Sequence, residues 1–264
     1  MPSKCKVTPL LIVVLFFLLT LSPASTSLAD ELLSIKAGYQ LLSPEGSIAG
    51  TVNGVGQKLD VRRDLDLDDS GGLTGEVALQ MGDSRLAFNY LPISFSGTGT
   101  LKVDGTFNGQ SFSVNDRVKS ELDIALYDIG YTYFLLNLDD LPARLQLGLE
   151  LAVKIADAEV MLRNLGTTGS LVFEEKESAL VPIPTVGVRG RVALADFIGL
   201  IGRVGYMEYN NNHILDAEAQ VEFSPLPTLG LYAGYRYFDL MIDESDLFVE
   251  TEFSGPFGGL LMRF

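Results

Sequence analysis

Between Arg144 and Ile155 the chain alternates without a break. Leu145, Leu147, Leu149, Leu151, Val153 and Ile155 are apolar, whereas Arg144, Gln146, Gly148, Glu150, Ala152 and Lys154 are polar or small. Successive side chains of a strand point to opposite faces, so this segment presents hydrocarbon on one side and charge on the other. The same period of two recurs along the chain. Leu33, Ile35, Ala37, Tyr39 and Leu41 oppose Ser34, Lys36, Gly38 and Gln40, and Leu215, Ala217, Ala219, Val221 and Phe223 oppose Asp216, Glu218, Gln220 and Glu222. One segment changes step: Leu86, Phe88 and Tyr90 hand over to Leu91, Ile93 and Phe95 around Pro92, which predicts a β-bulge there. About ten strand segments result: Leu32 to Leu42, Leu73 to Met81, Arg85 to Gly97, Glu121 to Leu136, Ala143 to Asp157, Leu180 to Leu194, Ile198 to Asn210, Ile214 to Phe223, Leu229 to Leu240 and Glu250 to Phe264. Helical periodicity is essentially absent.

The connections alternate as well. Gly82-Asp83-Ser84, Asn137 to Pro142, Ala195 to Phe197 and Ser224 to Thr228 are short. Ser43 to Gly72, Thr98 to Ser120 and Ala158 to Ala179 are long, and Asn211 to His213 and Met241 to Val249 are short again, leaving one rim lopsided. Most strand segments are near the ~9–11 residues that cross a bilayer when tilted. Short turns on one rim and long loops on the other predict an all-β fold, an antiparallel up-and-down transmembrane β-barrel with both termini in the periplasm. Asn108-Gly109 is a hairpin turn signal inside a long loop. An eight-stranded barrel with a projecting hairpin is therefore the alternative to ten strands.

Composition sharpens this picture. The chain is 47% hydrophobic with mean hydropathy +0.25, yet carries a formal charge of −15. A chain both oily and strongly charged must segregate the two classes. Lys4 and Lys6 precede an apolar run from Leu10 to Leu19, and Ser27-Leu28-Ala29 places small residues where a signal peptidase reads them. Residues 1–29 are thus expected to be a cleaved signal peptide and residues 30–264 the barrel domain. Cleavage would remove two lysines and leave 17 basic against 34 acidic residues, a field unsuited to nucleic acid. Cys5, the single cysteine, falls in the leader and too early for a lipoprotein, so the exported domain would hold neither a disulfide nor a thiolate-bound metal.

Alternation alone leaves open which face is outside, because a soluble lipocalin-like barrel has the same period with its apolar side inward. The last strand discriminates: alternate apolar residues lead to a carboxy-terminal aromatic at Leu260, Met262 and Phe264. On this strand, the leader and the alternating pattern, the chain resembles bacterial outer-membrane β-barrel proteins. The resemblance implies insertion into the outer membrane of a Gram-negative cell, with lipid and lipopolysaccharide around the barrel. It also implies that the barrel-assembly machinery recognises Leu260, Met262 and Phe264. Lipid offers no hydrogen-bond partner, so every strand must be paired on both sides. Tyr127, Tyr131, Tyr133, Tyr206, Tyr209, Tyr235 and Tyr237 suit the membrane rims.

Inside such a barrel a charge network is expected from Glu150, Lys154, Arg189, Arg191, Arg203, Glu218 and Arg236, with Asp216 and Glu222 facing the arginines. Ten strands leave a narrow lumen, so these groups make either a salt-bridged plug or a selective pore for small solutes. The run Asp60 to Asp69 places Asp64, Asp66 and Asp68 on one face if extended, and clustered carboxylates suit a hard cation. Its spacing does not complete an EF-hand, so a solvated acidic surface is the simpler expectation. His213 is the single histidine. Rim histidines serve in the omptin proteases, which are similar in strand number, but no paired aspartate motif of that family aligns here. No catalytic residue and no cofactor is assigned. The expected role is a structural or surface barrel with a filled lumen, the alternatives being a narrow channel, an omptin-like enzyme and a soluble binding protein.

Overall fold

The computed structural model describes residues 32–52, 55–62, 66–101, 105–107, 110–138, 144–165, 173–209, 212–244 and 247–264. The expected signal peptide, Asp64 and Asn108-Gly109 lie outside them. Among the described residues thirteen strands follow in chain order: β1 (Leu33–Val52), β2 (Val55–Asp60), β3 (Ser70–Met81), β4 (Ser84–Thr100), β5 (Gly105–Phe107), β6 (Gln110–Phe112), β7 (Arg117–Asn137), β8 (Leu145–Asn164), β9 (Phe173–Ala195), β10 (Ile198–Tyr209), β11 (Asn212–Phe223), β12 (Leu229–Glu244) and β13 (Leu247–Arg263). All but β2, β5 and β6 form one wall in chain order, each antiparallel to its neighbours, and β13 pairs back onto β1 from Ser34↔Arg263 to Gly50↔Leu247. The result is a closed barrel of ten strands. β1 pairs with β3 through Leu33 to Leu42 and with β2 from Ser47 upward, so β2 replaces β3 at the loop rim. β5 and β6 form the expected hairpin beside the wall.

The rim carrying the chain ends has short turns. Gly82 supplies the left-handed φ of 56° that the β3–β4 reversal requires. The opposite rim differs from expectation, because the predicted long loops are largely strand. β1 runs on to Val52, β8 to Asn164, and β9 begins at Phe173. These extensions lack the lipid-type alternation by which a membrane strand is read.

Toward β3 the ladder ends at Gly75↔Tyr90, just before Pro92, and the next bridge, Leu67↔Gly97, is one residue out of step, but toward β7 the expected bulge is absent. β4 pairs with β7 in unbroken register from Ser84↔Tyr133 to Thr100↔Arg117, with Pro92 opposite Ala125. What changes at Pro92 is the chemistry of the two faces. Below it the apolar Leu86, Phe88 and Tyr90 point outward, and above it the apolar Leu91, Ile93 and Phe95 point inward. The register does slip on β7, between Phe134 and Leu136, where Leu135 and Leu136 are both exposed.

That inversion divides the whole barrel into two storeys. In the lower storey Leu73, Leu151, Val186 and Leu194 are 59–74% exposed on the outside, while Lys36, Arg85, Glu150, Lys154, Arg189 and Arg203 are no more than 7% exposed within. In the upper storey Leu42, Leu91, Ile93, Phe95, Val118, Leu126, Ile214 and Phe253 form a buried apolar core, with Phe95 and Phe253 stacked at 5.2 Å. Its outer face is ionic: Arg163 pairs with Glu174 at 2.6 Å, Lys176 with Glu159 at 2.6 Å and Lys119 with Glu121 at 2.6 Å. An apolar band encircling the molecule far exceeds the few hundred Å² that soluble monomers expose. The soluble, apolar-inward alternative is therefore contradicted for the lower storey, although the upper storey is built that way. Tyrosines mark the changeover: the Tyr206 hydroxyl donates to Glu208 at 2.6 Å, Tyr235 meets Ser254 at 3.0 Å, and Tyr90 and Tyr127 pack at 5.3 Å.

Candidate functional site

Strand parity sends the even residues of β7, β8, β11 and β12 and the odd residues of β9 and β10 into the lumen. Halfway up they meet. Lys154, 1% exposed, donates to Asp128 at 2.8 Å and to Asp216 at 2.6 Å. Arg203 reaches across to the same two carboxylates, Asp128 at 2.8 Å and Asp216 at 2.6 Å, and to Glu150 at 3.3 Å. Thr132 donates to the other oxygen of Glu150 at 3.0 Å. Arg236 pairs with Glu218 and lies over the Phe257 ring at 5.3 Å. Three cations and four carboxylates thus interlock from five strands. Buried charges are tolerated only when paired and hydrogen-bonded, and here each cation has a partner.

Nearer the terminal rim a second group assembles. Lys36 pairs with Glu222 at 3.0 Å and Glu76 at 3.5 Å, Arg85 with Glu76 at 2.8 Å, and Arg263 with Glu222 at 2.5 Å. Arg191 stands 3.7 Å from Glu222, and Arg189 lies between the two groups. Tyr232 lies along the inner wall here, crossing β13 toward β1, packing on Phe257 at 6.1 Å and placing its hydroxyl where a side chain on Gly38 would project. Glycine at 38 is what lets the ring cross so close to the wall.

Above the ionic layer lies the apolar core, and the acidic segment contributes two residues to it. Val61 and Leu67 are buried at 2% and 4%. The Arg62 side chain donates to the Pro44 carbonyl at 2.9 Å and to Asp69 at 2.5 Å, and the Arg62 amide donates to Asp60. Hydrogen bonds from Ser43 and Arg62 hold the Asp69 carboxyl below its ordinary value. Beyond Asp60 the described part of this run is loop rather than strand extension. Asp66 has a left-handed φ of 54°, Leu67 bridges to Gly97 and turns inward, and Asp68 and Asp69 are exposed. Asp66 and Asp68 therefore share no strand face, and among the described residues no group of three or more His, Cys, Asp or Glu side chains is placed to hold a metal ion.

Glu150, Lys154, Arg203, Glu218 and Arg236 come together in the ionic layer, and Arg189 and Arg191 lie below it. Sequence reasoning missed Asp128, Arg85 and Arg263, although parity could have found them. Asp128 is an inward residue of a strand whose outward face reads Tyr127, Ile129, Tyr131 and Tyr133. Leu260, Met262 and Phe264 are 43–65% exposed on the outer face, and the Phe264 amide and carbonyl both bond to Leu33, tying the end of β13 to the start of β1.

No protein-family model matches the chain, and no curated protein matches it. Solved structures do. The outer-membrane protease OmpT of Escherichia coli superposes with a TM-score of 0.63 over 92% of this chain and 100% of that one, at 11% identity. The fold is that of a bacterial outer-membrane β-barrel. Two further matches are the attachment invasion locus protein Ail of Yersinia pestis (TM-score 0.31, 10% identity, 87% of this chain, 98% of that one) and the toluene transporter TodX of Pseudomonas putida (0.32, 9%, 92% and 93%). Within this outer-membrane barrel fold, His213 sits on the outside of the wall, since its neighbour Ile214 is buried in the core, and its Nε2 lies 3.3 Å from Asp239. The pair is aimed away from the lumen.

Proposed function

We propose that the chain is an outer-membrane barrel that neither conducts nor catalyses, its terminal rim facing the periplasm and its loop rim displayed at the cell surface. The observation that carries this reading is double closure. A solute entering from the loop rim meets the apolar core, and beneath it Lys154 and Arg203 bridge the lumen between Asp128 and Asp216. Small barrels are filled by side chains, whereas aqueous channels belong to larger strand numbers. The outward, strand-borne placement of the His213–Asp239 pair supports a non-catalytic reading, because a general base also needs a cleft that holds substrate against it, and neither cavity at the chain-end rim is lined by this pair. Lipid and lipopolysaccharide are the proposed surroundings of the apolar band, and the outward row Leu260, Met262 and Phe264 is the proposed handle for the assembly machinery.

Conductance tests the reading. Purified barrel reconstituted into a planar bilayer is expected to raise no unitary current steps, and regular steps from the unmodified chain would overturn it. The omptin-like alternative predicts peptide cleavage that is lost in His213→Ala.

A further inference from the structure

Below the ionic layer one buried cation, Arg189, has neighbouring carboxylates but no direct partner among the described residues. Arg189 is 6% exposed, yet no hydrogen bond to its guanidinium and no carboxylate within salt-bridge distance of it is found among the described residues. Glu76, Glu150 and Glu218 stand close enough to feel its charge, but each is engaged elsewhere: Glu76 with Arg85, Glu150 with Arg203, and Glu218 with Arg236. A buried charge left in that state is costly unless something compensates it.

Arg189 lines a cavity of about 40 Å³ below the ionic layer. A single water needs ~10–15 Å³ on this measure, so the space holds a few waters or one small oxyanion. Four further cations line it, Lys36, Arg85, Arg191 and Arg263, against two carboxylates, Glu76 and Glu222. Ser34 and Gln80, at the chain-end rim, line it too and mark its way in. The cavity is therefore strongly cationic in a molecule whose net charge is strongly negative.

We propose that this cavity is a binding site for a small phosphate-type oxyanion, with Arg189 as its central ligand. Guanidinium forks match tetrahedral oxyanions with paired N–H donors, and an anion here would supply the direct partner that Arg189 lacks among the described residues. The site is blind: the Lys154–Arg203 layer closes its upper end, so it holds an anion without passing it on. The shared chemistry is a phosphate group, whether free or carried on a lipid-derived headgroup.

The test is calorimetric titration of the detergent-folded, full-length barrel with inorganic phosphate and, separately, with glycerol 3-phosphate. Saturable binding of either supports the proposal; preference for the first points to the free ion and for the second to a headgroup source. Arg189→Gln should weaken binding by about tenfold or more, the loss of one charge-assisted donor pair. Arg163→Gln, on the outer face, should leave it unchanged. Because Arg189 makes no hydrogen bond or ion pair among the described residues, Arg189→Gln is also expected to unfold at the same or higher denaturant in phosphate-free buffer, whereas phosphate should raise the midpoint of the unmodified chain alone. If Arg189→Gln does not fold, Arg189→Lys, which keeps the charge but loses the fork, should weaken binding severalfold. Absence of saturable binding by both anions, or equal binding by the unmodified chain and the Arg189 variant, overturns the site.

Discussion

At the scale of single residues, the interior is governed by pairing. Lys154 neutralises Asp128 and Asp216 at once and lies 6.0 Å above the Phe238 ring, so it is bound by both charge and packing. Removing one member of a buried ion group leaves uncompensated charge, which costs about 3–5 kcal/mol. Lys154→Met is expected to lower barrel stability by that amount, read from the urea midpoint in lipid vesicles. An unchanged midpoint would mean that the layer is hydrated and loose. The clasp at the loop rim behaves differently because it is exposed. Asp69 titrates below its ordinary value in the folded chain, so its contribution is present above the unfolded value near pH ~3.9 and fades as pH falls through the depressed one. Amide exchange at Leu67, whose N–H bonds to the Val61 carbonyl, should therefore stay protected at pH 5 and become faster only in stronger acid, relative to Asp69→Asn, which should be loose throughout.

At the scale of elements, each strand is a two-part object, and its two parts follow opposite rules. Phe95→Ala in the upper core is expected to cost about 3–5 kcal/mol whatever surrounds the barrel. Leu149→Arg on the outer face of β8 should cost about 2–4 kcal/mol in a bilayer, and much less in the upper storey at Glu159. Paired unfolding measurements in vesicles of these variants distinguish lipid-facing from water-facing wall. The same division explains what could be read from the chain alone. The lower storey was legible because lipid demands unbroken alternation, as in Leu145 to Val153, and its ten strands were found in number and order. The upper storey was not, because a water-facing wall tolerates mixed residues outside, so β1 beyond Leu42 and β9 before Leu180 read as loop. At Pro92 the swap of apolar residues between faces reads as a bulge, which the ladder toward β7 lacks. The interior charges were legible by parity, but which cation pairs with which carboxylate depends on distances across the lumen that no linear pattern carries. In the Asp60 to Asp69 run the burial of Leu67, which sets the chain's path between Asp66 and Asp68, carries no signal in a stretch dominated by charge.

At the scale of the molecule, a barrel abolishes strand edges, which is why so oily a chain can be stable without aggregating edge to edge. Its lower storey turns hydrocarbon outward and ions inward, its upper storey the reverse, and tyrosines stand at the join. Between the layered interior and the chain-end rim stands the cavity lined by Lys36, Arg85, Arg189, Arg191 and Arg263 against Glu76 and Glu222. The two-storey barrel requires its lower band to lie in lipid. The direct test uses barrel lacking residues 1–29, and so lacking cysteine, with a single Leu149→Cys or Glu159→Cys introduced on the same outer face of β8. In vesicles, Cys at 149 is expected to resist a membrane-impermeant maleimide and, carrying a small fluorophore, to be quenched by brominated lipid tails, whereas Cys at 159 should react fully and escape quenching. Equal maleimide labelling of the two positions, with no lipid quenching at 149, would contradict the membrane-spanning barrel.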